Sequence, residues 1–74
     1  MSNGAITTSV QSSNINIVEY YPNDLKMGVI FTTGHKYIYN DISEEVYKDF
    51  LLSSSKGSYF NKFIRNLYEC EKIY

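Results

Sequence analysis

The stretch Lys56-Gly57-Ser58-Tyr59-Phe60-Asn61-Lys62-Phe63-Ile64-Arg65 gathers the side chains best suited to meet negative charge. Lys56 can hold a phosphate as a point charge, and Arg65 can hold one bidentately. Ser53, Ser54 and Ser55 precede them, and Gly57 allows the backbone to approach a ligand closely. A helix beginning here would add unpaired N–H groups and a partial positive charge. The bland alternative is also complete: serine caps a helix, glycine ends the one before, and lysine sits in water. A second group is Tyr37 and Tyr39, two apart on one strand face. Exposed, they could stack bases; buried, they pack under helices. The pattern favours burial of at least one ring but does not decide which face turns inward.

Catalytic chemistry is poorly represented. The carboxylates Asp41, Glu44, Glu45 and Asp49 lack an evident partner to split their proton affinities. The Ser-Lys-Gly-Ser run is not a phosphate-binding loop, because its lysine precedes the glycine and no strand feeds it. One histidine, His35, and one cysteine, Cys70, make neither a metal site nor an internal disulfide. His35 reads as a polar residue flanking a turn, and Cys70 as a plain reduced thiol. No enzyme, cofactor or metal is expected.

At 74 residues and 43% hydrophobic content, the chain builds one small domain with one thin core. The net charge of −1 gives no global attraction to nucleic acid. Charge is nevertheless segregated. Residues 41–50 are acidic, whereas Lys56, Lys62 and Arg65 occur without an acid through Tyr68. That contrast suits a local anion site or two elements paired by charge. No run approaches the roughly 20 apolar residues of a membrane span, and no signal peptide is evident. Cytoplasmic residence without membrane attachment is the expectation.

The elements that would position these residues follow from periodicity. Residues 1–11 read as a flexible tail and residues 12–74 as the domain. A first strand covers Ile15–Tyr21, with Ile15 and Ile17 on one face and Val18 and Tyr20 on the other. A Pro22 turn leads to a second strand, Leu25–Phe31, and Gly34 to a third, His35–Asn40. Short connections predict an antiparallel meander. The period then changes. Asp41 or Ser43 caps a helix carrying Ile42, Val46 and Phe50 inward, with Tyr47 and Leu51 beside them. A second helix over Ser58–Tyr68 turns Phe60, Phe63, Ile64 and Leu67 to the core, and Ser58, Asn61, Lys62 and Arg65 outward. The remaining Tyr-Glu-Cys-Glu-Lys-Ile-Tyr is expected as a fraying helix end or a short extended tail. The predicted fold is α+β: a three-stranded antiparallel meander followed by two helices on one face, βββαα.

Three segments together carry a family resemblance: Ser12-Ser13-Asn14-Ile15, Tyr37-Ile38-Tyr39, and the Lys-Gly-x-Tyr-Phe-Asn-x-x-Ile-Arg series at 56–65. Over roughly Ser12 to Tyr68 the chain resembles the KTSC domain, a short module found at the C-terminus of some lysyl-tRNA synthetases and as a stand-alone protein. By position, the resemblance implies Ser13, Asn14, Tyr37, Tyr39, Lys56, Tyr59, Asn61 and Arg65 as the polar ligand-binding set. What it implies about function is limited to a supposed affinity for RNA.

Two functional expectations follow. The first is a non-enzymatic module for RNA, a short oligonucleotide or a nucleotide-type phosphate ligand. Few basic residues make a short ligand a better match than a duplex. The high share of Asn, Ile, Lys and Tyr hints at a phage or prophage protein that sequesters a nucleotide signal, as a homo-oligomer. The alternative is a protein-interaction or homo-oligomerisation module that uses a strand edge or the tyrosine surface.

Overall fold

A computed structural model describes residues 5–74. The chain order is β1 (Ile6–Ser9), β2 (Ile15–Tyr21), β3 (Lys26–Phe31), β4 (Lys36–Tyr39), α1 (Glu44–Leu52), α2 (Lys56–Phe63) and β5 (Cys70–Lys72). The strands form one antiparallel sheet in the order β1-β2-β3-β4-β5, with both helices inserted between neighbours β4 and β5. The α+β class, the two helices and the antiparallel sheet stand. The three-stranded meander is corrected to five strands.

Both additional strands lie at edges. Strand β1 occupies part of the segment expected as a tail, whose first four residues lie outside the described ones. It pairs Ile6 with Tyr20 and Ser9 with Ile17. Strand β5 comes from the expected helix end and sets Cys70 against Tyr39 and Lys72 against Tyr37. Such short edge strands are held by what they pair with, and their own pattern is weak.

Strand β2 corrects a second expectation. Ile15 pairs with Phe31 while Ile17 pairs with Ile30, so Asn16 is an extra residue in the ladder. This bulge resets the alternation. Ile15 therefore joins Val18 and Tyr20 inside, all three fully buried, and Ile17 turns to the other face. Leu25 belongs to the turn before β3, with φ of 53° and its side chain exposed. Its carbonyl accepts a hydrogen bond from the Ile42 amide at 2.8 Å, which pins the start of α1.

Ser43 caps α1, its hydroxyl accepting from the Val46 amide at 3.2 Å, and Glu44 and Glu45 sit at the positive end. Ser55 caps α2 by accepting from the Ser58 amide. The second helix thus starts at Lys56, earlier than the spacing suggests, and ends at Phe63. Ile64 and Arg65 both donate their amides to the Phe60 carbonyl, which closes the last turn. Phe60 and Ile64 are buried as expected, whereas Phe63 and Leu67 are 51% and 66% exposed. Leu67 leaves the stripe because the helix ends at Phe63, whereas Phe63 itself is exposed within the last turn, against the expected inward placement.

The core lies between the sheet and the helices. Tyr20 stacks on Tyr47 with ring centroids 4.4 Å apart and planes 7° from parallel. Phe60 meets Phe31 and Tyr39 edge to face. Tyr20 also donates its hydroxyl to the Ile42 carbonyl at 2.7 Å, fully buried. The opposite sheet face carries Ile17, Ile30 and Ile38, all partly exposed, and the Lys36–Glu19 ion pair at 2.8 Å.

Candidate functional site

The β1–β2 connection folds onto the start of α2. Ser12 directs this approach: its hydroxyl donates to Asn14 Oδ1 at 2.8 Å and accepts from the amides of Asn14 and Ile15. Gly57 makes room for it. A Cβ at that position would stand 3.0 Å from Asn14 Oδ1 and 3.1 Å from Ser12 Oγ. The sequence suggested that Gly57 lets a ligand come close. In the fold, it is the protein's own loop that comes close.

A polar groove of about 430 Å³ opens at this junction. Ser12, Ser13 and Asn14 form one side, and Ser54 to Ser58 with Asn61 form the other. Among the described residues Lys56 is its only cation, and no acid lines it. The lysine is half-buried and donates to the Ser53 carbonyl at 3.4 Å, so it also serves the end of α1.

A second cleft of about 430 Å³ lies beyond Asn14. Phe31, Tyr37 and Tyr39 give it an aromatic wall, with Phe31 and Tyr37 edge to face at 5.8 Å. The rim is polar: Asn14, Thr33, His35, Arg65, Asn66 and Cys70. Tyr39 is buried among the helices, and burial, followed by the Cys70 side chain, pushes its phenol up to about 12. It is therefore a neutral hydroxyl at physiological pH. Arg65 opposes that shift through its charge.

The expected residues are thus divided. Lys56, Asn61, Ser13 and Asn14 line the groove, while Tyr37, Tyr39, Arg65 and again Asn14 line the cleft. Lys56 and Arg65 do not meet in one concavity. Two links join the halves: Asn14 borders both, and Arg65 donates to Asn61 Oδ1 at 3.4 Å. Tyr59 lines neither. It packs between Phe50 and Phe63, and burial raises its phenol. Both strand tyrosines turn toward the helices, with Tyr39 buried and Tyr37 partly so.

The sequence reading missed Phe31, Asn66, Cys70 and His35 as cleft residues. His35 is placed by its own ring, with Nδ1 3.2 Å from the Tyr74 carbonyl. Phe31 carried one usable signal, because its alternation puts it on the same face as Tyr37. Among the described residues no cluster of His, Cys, Asp and Glu could hold a metal. No helix there is long and apolar enough to cross a membrane.

The chain is 32% identical over 56 residues to a protein of Tsukamurella paurometabola, a match that spans 76% of this chain and 84% of that protein. The crystal structure of a KTSC domain protein from Yersinia pestis superimposes with a TM-score of 0.88 at 28% identity, covering 96% of this chain and 100% of that one. The KTSC domain family matches residues 11–68, which take in β2, the aromatic strand, both helices and the Ser12–Asn14 loop. The chain belongs to the KTSC domain family.

Proposed function

We propose that this chain is a non-enzymatic module that binds a nucleotide-type phosphate ligand, either a mononucleotide or a short single-stranded oligonucleotide. The observation that carries the reading is the adjacency of two unlike sites. An acid-free groove with Lys56 and a cluster of hydroxyls suits phosphate. An aromatic wall rimmed by Arg65 and amides suits a base. Asn14 separates them by one side chain, so a phosphate and the ring attached to it can be held together. Two cations with no surplus of positive charge favour a short ligand over a duplex. Sequestration of a nucleotide signal by a mobile-element protein is one form this activity takes.

Titration of the full chain with GMP, AMP, a cyclic dinucleotide and a short oligonucleotide at low salt tests the reading. Binding is expected to weaken as salt rises, and to weaken further in Lys56→Ala and in Tyr37→Ala. Absence of binding by every ligand, or affinities indifferent to both substitutions, removes it.

The alternative is homo-oligomerisation without a nucleotide. Its support is the uncovered sheet face with Ile17, Ile30 and Ile38 and the open edges at β1 and β5. Light scattering separates the two readings: an oligomer unaffected by nucleotide or by Lys56→Ala favours the alternative.

A further inference from the structure

The aromatic wall of the second cleft gives a base a surface to lie on, but every base has such a face. Selection must come from the rim. Among the described residues no carboxylate lies on it, and its one cation is Arg65, whose guanidinium carries five N–H donors in a fixed fork. One donor goes to Asn61 Oδ1, and no ion pair engages the rest among the described residues. Tyr39 adds a hydroxyl that keeps its proton at neutral pH. Asn14, the amide shared with the groove, has its oxygen occupied by the Ser12 hydroxyl at 2.8 Å. That bond takes one of the oxygen's two lone pairs, so this amide is less open to the donor-plus-acceptor pairing that adenine asks.

Arg65 is thus the rim's donor-only group, and it suits a base edge that carries acceptors. Guanine presents N7 and O6, both acceptors, at the spacing an arginine fork meets bidentately; adenine replaces O6 with a donor amine. We propose that the cleft selects guanine-type rings, with Arg65 facing N7 and O6. Asn61 is a positioning residue that holds the guanidinium from one helical turn away. This inference rests on the nucleotide reading above and names the ring that reading leaves open.

Calorimetric titration of the full chain with GMP, AMP and 7-deaza-GMP, which lacks N7, tests it. GMP is expected to bind about tenfold more tightly than AMP, as one bidentate contact provides. The 7-deaza compound should lose most of that advantage. Arg65→Lys retains the charge but not the fork, so the GMP-to-AMP ratio should fall to about one. Asn61→Ala should lower the ratio part of the way, and circular dichroism melting confirms that each variant is folded. Equal affinities for GMP and AMP, or a ratio that survives Arg65→Lys, overturn the inference and leave the nucleotide reading standing. Tighter binding of AMP that is lost in Asn66→Ala overturns it as well, because a free amide is then reading adenine. Failure of all three compounds to bind removes both inference and reading.

Discussion

Replacing Tyr20 with Phe removes one oxygen from the centre of the molecule and nothing else. The ring is fully buried and stacks on Tyr47 at 4.4 Å, and a phenyl ring preserves that contact. What disappears is the 2.7 Å hydrogen bond to the Ile42 carbonyl. That carbonyl precedes the cap of α1 and has no water to turn to, so the loss is the desolvation cost of an orphaned acceptor, about 1–3 kcal/mol. We expect about 2 kcal/mol. A domain of 74 residues has a total stability of about 4–11 kcal/mol, so the share is large. In thermal melts it corresponds to a fall in Tm of about 8–16 °C. Tyr21→Phe is the matched control. Its neighbouring hydroxyl donates to Glu19 Oε1 at 2.9 Å on the partly exposed outer face, and its loss should cost about 0.5 kcal/mol. If Tyr20→Phe costs no more than Tyr21→Phe, the Ile42 carbonyl has another partner, and the account of how α1 is anchored to β2 is wrong.

Gly57→Ala sets helix propensity, a gain of about 0.5–1 kcal/mol, against a Cβ at 3.0 Å from Asn14 Oδ1. The Ser12–Asn14 bond must yield, so we expect a net loss of about 0.5–1 kcal/mol in urea unfolding; a stabilised variant would show that the loop is not seated on the glycine. Glu19 is held below its ordinary value of 4.5 chiefly by its hydrogen bond from Lys36, so its contribution is present above that pH and lost as pH falls beneath it. Melting temperature against pH should therefore decline more steeply on the acid side in the native chain than in Glu19→Gln, and identical slopes would count against the pair. Tyr39, raised to about 12, contributes stability that is full below pH 10 and lost between there and about 12. Phenolate absorbance should show a last ionisation near that upper value that is missing in Tyr39→Phe.

Strands with two clear faces were readable from the residues alone. Val18, Tyr20, Met27 and Val29 are buried at the alternating positions that period two demands. Ser43 and the two glutamates after it announced α1. The misreadings have distinct physical origins. Ile15 changed sides because a bulge at Asn16 adds a residue that no alternation reveals. Strands β1 and β5 were invisible because Ile-Thr-Thr-Ser and Cys-Glu-Lys owe their conformation to the neighbours they pair with. Leu67 left the core stripe once α2 ended at Phe63. Of the candidate site residues, all but Tyr59 line one of the two cavities, and their division between them was not readable. The shared position of Asn14, and the division of Lys56 from Arg65, depend on how the Ser12–Asn14 loop crosses Gly57, and that is a matter of tertiary packing.

The hairpins joining β1 to β2, β2 to β3 and β3 to β4 close over a few residues each, whereas Tyr39 reaches Cys70 only after both helices have been laid down between them. Closing that long circuit costs more chain entropy, and the return is three exposed residues. Amide hydrogens of β5 should accordingly trade with deuterated solvent well ahead of those in β2 and β3. Because Cys70 borders the aromatic cleft, one side of that cleft rests on a strand whose three residues are all exposed, while its aromatic wall stands on the better-covered β3 and β4.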